Sequence, residues 1–264
     1  MYNIKERFNE KIYLPFIKAV EKYCLISDGD KIAVCISGGK DSMLMAKLFM
    51  EYQKESRIDF KVEYLVMDPG YNEENCRQIE HNIELLGIPA VVFQSDIFDV
   101  INDVDKSPCY LCARMRRGCL YGKAKELGCN KIALGHHYDD VIETVLMSMI
   151  YGAQIQTMMP KLYSTNFEGM ELVRPLYLVQ EDAIMEWRDY YNLQFIQCAC
   201  RFTEANVNNE ENSSKRQEIK NLIKELKKNN PDVEANIFNS VDNVFLDRIF
   251  SIKREKKLLT TNKS

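Results

Sequence analysis

The chain reads as an α/β protein: a parallel β-sheet with helices on both faces, preceded by an amphipathic helix and followed by a mostly helical extension. Three observations predict this. Short apolar runs rich in β-branched residues recur at 31–36, 60–67, 88–94 and 131–134. Segments with helical apolar spacing alternate with them, and such alternation needs crossover connections between parallel strands. After Gly152 the alternation stops and charged helical segments take over.

Residues 6–24 place Phe8, Ile12, Phe16, Ile17, Val20 and Tyr23 at an approximately helical period. Ser27-Asp28-Gly29-Asp30 is a turn, and 31–36 is a buried strand. Helices are predicted over 43–52, 73–86, 113–127 and 139–150, with a loop around Pro108-Cys109. Beyond them, 162–163 and 171–173 form a hairpin around 166–169. Residues 180–191, 216–228 and 233–250 are helices, 206–214 is a polar loop, and 253–264 is a charged tail. The organisation expected is an N-terminal helix (1–27), a nucleotide-binding domain (28–178) and a helical C-terminal extension (179–264). In open parallel sheets ligands bind beyond the carboxyl ends of the strands. The loops after Ile36, Met67 and Leu134 therefore share one edge.

Composition narrows the class. Hydrophobic residues make up 46% and charged residues 28% of the 264 residues, which suits a globular chain. No run approaches the roughly 20 apolar residues of a membrane span, and the start lacks a signal-peptide core. A cytoplasmic protein with no membrane partner is expected. The net charge of −4 excludes a globally basic nucleic-acid binder, so any such contact must use local patches. In a reducing compartment the nine cysteines are not structural disulfides. Cys24, Cys35, Cys76, Cys119 and Cys129 read as small core side chains. The close pairs Cys109/Cys112 and Cys198/Cys200 do not.

Ser37-Gly38-Gly39-Lys40-Asp41-Ser42 follows a predicted strand and opens a helix. Glycines let backbone N–H groups face an anion, the helix N-terminus adds partial positive charge, and Lys40 adds a full one. Ser37 and Ser42 supply hydroxyl donors. The adjacent glycines depart from G-x-x-x-x-G-K-[ST]. The string resembles the PP-loop of the ATP pyrophosphatase superfamily. That resemblance implies a Rossmann-like, adenine nucleotide alpha hydrolase-like sheet, release of pyrophosphate from ATP, and adenylation of a substrate. It also implies Asp41 beside Mg²⁺ and adenine against the backbone at Val66 and Met67.

A second cluster, Gly135-His136-His137-Tyr138-Asp139-Asp140, leaves the 131–134 strand, with Glu143-Thr144 one turn on. A metal site is one reading, but neighbouring residues at a strand exit point in different directions, which argues against all four on one ion. An aspartate capping the following helix is another. The string resembles the H-H-x-D-D-x-x-E-T element of PP-loop tRNA-modifying enzymes. By that resemblance Gly135, His136 and His137 line the ATP pocket and Asp139 or Asp140 contacts Mg²⁺ or the reacting phosphate.

Cys109-x-x-Cys112 and Cys198-x-Cys200 suit four-thiolate zinc, a three-thiolate iron–sulfur cluster, or a persulfide relay. The flanking residues, Cys109-x-x-Cys112-x-Arg114-x-Arg116-Arg117-Gly118-x-Leu120, resemble the TtcA family, which makes 2-thiocytidine in tRNA. The family motif is C-x-x-C-x-R-x-R-R-G-x-L, and the likeness runs from the N-terminal helix through Arg174-Pro175-Leu176 to the distal cysteines. It implies a [4Fe–4S] cluster on Cys109, Cys112 and a distal cysteine: Cys198, because Phe195-Ile196-Gln197 resemble the residues leading into the family's first distal cysteine, with Cys200 as alternate, because the family has Cys-x-x-Cys where this chain has Cys-x-Cys. It implies adenylation of the cytidine C2 oxygen and its replacement by sulfur, with Lys40, Asp41, Cys109, Cys112, Asp139 and Asp140 carrying the chemistry. Arg114, Arg116 and Arg117 are the expected tRNA contacts. The partners implied are tRNA, a sulfur donor such as a cysteine desulfurase, and a second copy of the chain. The neighbouring alternatives are 2-thiouridine or lysidine synthesis and a zinc-stabilised tRNA- or nucleotide-binding protein.

Overall fold

The computed structural model describes residues 3–95, 97, 108–196, 210–249 and 252. Six strands form one sheet: β1 (Lys31–Ile36), β2 (Lys61–Asp68), β3 (Ala90–Gln94), β4 (Lys131–Ala133), β5 (Lys161–Tyr163) and β6 (Glu171–Val173). Their spatial order is β3-β2-β1-β4-β6-β5. All neighbours run parallel except β5, which pairs antiparallel with β6 at the edge. The expected 162–163/171–173 hairpin is therefore also the outer margin of the sheet.

Every residue of β1 but Lys31 is buried, because helices cover both faces. Its side chains divide by period two. Ile32, Val34 and Ile36 enter one core, while Ala33 and Cys35 enter the other. The first core takes Phe8, Ile12, Phe16 and Val20 from the N-terminal segment and Leu44, Leu48 and Phe49 from α3 (Lys40–Glu55). It also takes Ile184 and Trp187 from the helix Glu181–Tyr190. The second core is closed by Tyr121 and Ala124 of the helix Pro108–Glu126.

Several elements differ from the sequence expectation. The N-terminal helix is broken into α1 (Ile4–Phe8), a π-helical turn over Asn9–Tyr13, and α2 (Leu14–Lys22). Pro15 has no N–H to donate to the preceding turn, and the Leu14 N–H bonds to Asn9 O, one residue wider than in an α-helix. Cys24 is exposed, not core: the chain leaves α2 there with φ of 49°. After α4 (Glu73–Leu86), the helix expected at 113 begins at Pro108, a residue suited to a first helical turn, and forms α5 (Pro108–Glu126). Cys109 and Cys112 thus sit one turn apart on a helix. After α6 (Tyr138–Ile150) and α7 (Glu181–Tyr190), helix α8 (Glu210–Asn229) includes 210–214, which were expected as loop. The last α-helix among the described residues, α9 (Val233–Ser240), stops ten residues early, where the Asp242 and Asn243 N–H groups both turn back to Asn239 O. Residues 206–209 and the 253–264 tail lie outside the described residues. Among those described, no helix is long and apolar enough to cross a membrane.

Candidate active site

β1 lies between β2 and β4, so the chain departs to opposite sides of it and leaves a crevice at the carboxyl end. The two sequence signatures meet there. After Ile36 the chain turns through Gly38 at φ +87°, a conformation that suits glycine, and Gly39 starts α3. The Ser37 N–H donates to Ser42 Oγ (3.1 Å) and Ser42 Oγ donates to Gly39 O (3.0 Å), which fixes the loop. Gly135 brings the β4 exit against the first turn of α3. A Cβ there would lie 3.1 Å from Ser42 N and 3.2 Å from the Asp41 carbonyl carbon.

The charges in this crevice are interlocked. Lys40 Nζ lies 3.0 Å from Asp41 Oδ1 and 3.1 Å from Glu181 Oε1. Burial works against the Lys40 ammonium, but the two carboxylates outweigh it and raise its pKa. Glu181 is also penalised by burial, yet Lys40, His137 and Lys220 hold its carboxyl down to about 2. Buried His137 is surrounded by carboxylates. Its Nε2 is 3.9 Å from Asp41 Oδ1 and 3.6 Å from Asp140 Oδ2, and its Nδ1 is 3.6 Å from Asp139 Oδ2. These are ion-pair distances rather than hydrogen bonds. They overcome desolvation and raise its pKa. His136 goes the other way: burial and the neighbouring Arg174 hold it down to about 4. Arg174 Nε donates to His136 Nδ1 at 3.3 Å, so that nitrogen is the acceptor of a neutral ring.

The aspartates have distinct tasks. Asp140 accepts the His137 N–H (3.1 Å) and caps α6, while Asp139 accepts the Glu181 N–H (2.7 Å) and ties α6 to α7. Asp41 Oδ1 is buried and accepts no well-aligned hydrogen bond, its close cationic neighbour being Lys40 Nζ at 3.0 Å, so a metal ion there would share the carboxylate with that lysine. With Asp140 across His137, the donor set suits Mg²⁺, which is usually held by one or two carboxylates plus substrate phosphates. At β2, pairing to β1 ends at Val66, whereas Met67 continues only with Phe93 of β3. The β1-facing edge of Met67 thus opens toward the phosphate loop.

A cleft of ≈ 600 Å³ lies beside this loop, lined by Gly39, Lys40, Asp41, Arg188 and residues 193–196. The segment 193–196 is anchored on α4: Gln194 O accepts from Gln78 Nε2 (3.0 Å) and from buried Asn82 Nδ2 (2.8 Å). Ile196 packs so closely on Gly38 that a Cβ there would lie 2.6 Å from its Cδ1. On the other flank, Leu111 and Met115 of α5 pack with Met67, Ile97 and Tyr71 at the end of β2. Cys198 and Cys200 lie outside the described residues, as do the side chains of Cys109 and Cys112. On α5, Arg114 and Arg117 are exposed, whereas Arg116 turns inward to hydrogen-bond Tyr71 Oη and lie 5.5 Å over its ring.

Sequence reasoning missed Glu181, Arg216 and Lys220. Arg216 Nε is 2.9 Å from Glu143 Oε2, and Lys220 Nζ is 3.1 Å from Glu181 Oε2 and 3.5 Å from Glu143 Oε1. Arg216 and Lys220 stand one helical turn apart on α8, where nothing nearby in the chain sets them apart from the other charges of that helix.

A doubly wound sheet whose phosphate loop carries adjacent glycines, a lysine and an aspartate defines a PP-loop nucleotide-binding protein. Residues 7–226 match the PP-loop domain family. The chain is 32% identical over 241 residues to the tRNA-cytidine(32) 2-sulfurtransferase of Anaeromyxobacter dehalogenans (strain 2CP-C), covering 90% of this chain and 80% of that one. It is 35% identical over 233 residues to the protein of that name from Vibrio cholerae serotype O1 (strain M66-2), covering 86% and 72%. Within the PP-loop proteins, the chain belongs to the tRNA-cytidine(32) 2-sulfurtransferase family. Its fold is similar to that of the U34-tRNA thiolase NcsA from Methanococcus maripaludis, solved with its [4Fe-4S] cluster. The TM-score is 0.67 at 23% identity, over 87% of this chain and 76% of that one.

Proposed function

We propose that this chain is an ATP-dependent tRNA sulfurtransferase that replaces the C2 oxygen of a cytidine with sulfur. One observation carries the reading: the phosphate loop and the His-His-x-Asp-Asp element converge on one crevice, and the segments adjoining both cysteine pairs flank it. Ile196, two residues before Cys198, packs on Gly38, and Leu111, between Cys109 and Cys112, packs at the end of β2.

The residues divide the work. Ser37, Gly38, Gly39, Lys40 and Ser42 bind the leaving pyrophosphate, with backbone donors and the ammonium matched to the charge that develops there. Asp41, with Asp139 or Asp140, would hold Mg²⁺, whose charge would offset that of the phosphates. Val66 and Met67 present backbone to adenine, and Gly135 keeps His136 close enough to face the nucleotide. His136 is a neutral ring in this setting, whereas His137 is the cation that keeps the carboxylates together. Cys109, Cys112 and Cys198, with Cys200 as alternate, would hold a [4Fe–4S] cluster, which when bound would supply the sulfur. Arg114 and Arg117 offer charge to the tRNA backbone, and Arg116 braces the end of β2. Catalysis is mainly placement, since the adenylated base and the sulfur must be brought within reach of each other. A cytoplasmic location, a homodimer and a cysteine desulfurase as sulfur donor complete the proposal.

Nucleoside mass spectrometry of tRNA from cells lacking the gene tests the reaction, and loss of 2-thiocytidine is the expected result. Cys109→Ser is expected to remove both iron and thiolation from anaerobically purified protein while leaving the helical circular dichroism intact. One zinc per chain in place of iron and labile sulfide, or thiolation that survives the substitution, refutes the assignment.

A further inference from the structure

The phosphate loop supplies one lysine, and a second, Lys220, stands in the crevice. Glu181 stands between them, with Oε1 3.1 Å from Lys40 Nζ and Oε2 3.1 Å from Lys220 Nζ. One anion thus spans two ammonium groups, an oxygen to each. That is the way a phosphoryl group, with its charge spread over several oxygens, bridges two cations. The three side chains are only 19%, 26% and 31% exposed, for Lys40, Glu181 and Lys220, so solvent screens them incompletely.

We propose that Lys220 is a second phosphate-binding lysine, and that the Glu181 carboxylate is an internal anion occupying the seat between Lys40 and Lys220 until the polyphosphate of ATP takes it. The proposal rests on the reading that this crevice binds ATP, and three features of the crevice support it.

The first is charge. Asp41, Asp139, Asp140, Glu143 and Glu181 already crowd the crevice. A polyphosphate arriving beside Lys40 with Glu181 still in place would meet a like charge at contact distance. Exchange of one anion for the other removes that repulsion and keeps both lysines paired. The second is mechanical. The Glu181 backbone is fixed by its N–H bond to Asp139, but among the described residues its carboxylate takes hydrogen bonds from the two lysines alone. The side chain can leave without disturbing α7. The third is the setting of Lys220. It lies one turn beyond Arg216 on α8, and Arg216 and Lys220 together grip buried Glu143. Glu143 keeps Lys220 at the crevice when Glu181 lets go.

The test is calorimetric binding of inorganic pyrophosphate and of ATP to the full-length protein, with Lys220→Met, Lys220→Arg and Glu181→Gln compared at one salt concentration. Lys220→Met is expected to weaken pyrophosphate binding about tenfold, the scale of one charge-assisted contact, and Lys220→Arg to restore most of it. Glu181→Gln is expected to tighten binding several-fold, because the competing anion is gone. Unchanged affinity in Lys220→Met overturns the assignment of Lys220. Weakened affinity in Glu181→Gln overturns the exchange, since Glu181 would then be a brace for the lysines. If the unsubstituted protein binds neither ligand, the ATP reading fails first and the inference with it.

Discussion

The adjacent histidines 136 and 137 share a backbone turn yet are driven to opposite charge states. Burial and Arg174 hold His136 down to about 4, whereas Asp139, Asp140 and Asp41 raise His137 against its own desolvation. In metal-free protein between about pH 4 and the ordinary imidazole value of 6.5, His136 is therefore neutral and His137 charged. The raised folded-state pKa means that His137 contributes stability fully below 6.5, and loses it as pH rises through the folded value. For His136 the sign is reversed: its contribution is present above 6.5 and is lost as pH falls toward 4. NMR titration of the imidazole protons checks both, and a His136 resonance titrating above that of His137 would contradict the arrangement. At this scale the sequence was informative where chemistry is local. The phosphate loop and the His-His-x-Asp-Asp element are contiguous strings whose residue types announce their use. Glu181 was hidden because its partner Lys40 is 141 positions away, and nothing near it in the chain distinguishes it from a solvated glutamate.

Elements carry the site through two close approaches that no local pattern reveals. The segment 193–196 lies on the phosphate loop because Asn82, only 1% exposed, directs its amide to Gln194 O. Asn82→Ala is expected to lower stability by about 1 kcal/mol, since Gln78 still donates to the same carbonyl. It is also expected to speed amide hydrogen exchange at 193–196 and to weaken ATP binding. Unchanged exchange in that segment would show that Ile196 packing on Gly38 holds it without the amide. The strands and most helices were legible from periodicity, β1 most clearly, because its two faces enter two different cores. Three of the misplaced boundaries fall where a single residue intervenes. Pro15 converts a turn of the first helix to π geometry, Pro108 starts α5 early, and Asn239 O captures two N–H groups to end α9. Such competitions are decided by hydrogen bonds one residue to either side, below the resolution of an apolar period.

Across the whole molecule, Lys131 joins parts that are distant in the chain. It is 4% exposed on β4, and its Nζ lies 2.7 Å from Asp30 Oδ2 and 3.3 Å from Glu171 Oε2 on β6. The same nitrogen donates to Leu25 O at 3.0 Å, just beyond α2. One ammonium thus links the N-terminal helices, the entry to β1 and the far side of the sheet. A buried pair is not in itself strong evidence of net stabilisation, because desolvation offsets much of the attraction. Removing one member is different, since it strands the others. Glu171 keeps Lys161 at 3.1 Å, but Asp30 would retain only the Asn130 amide and the Ser27 N–H. Lys131→Met, similar in volume and without charge, is therefore expected to cost about 3–5 kcal/mol at neutral pH. The sign with pH follows from Asp30, whose carboxyl is penalised by burial but held below its ordinary value of 3.8 by Lys131 and Asn130. Its contribution is present above that value and lost as pH falls through the lower folded one. The gap between the variant and the parent should accordingly narrow in acid, where protonation relieves the stranded carboxylates. Urea unfolding at neutral pH and near pH 4 measures both quantities. A variant as stable as the parent at neutral pH would mean that this buried lysine is replaceable by an apolar stem, and that the sheet and N-terminal helices are held by their cores alone.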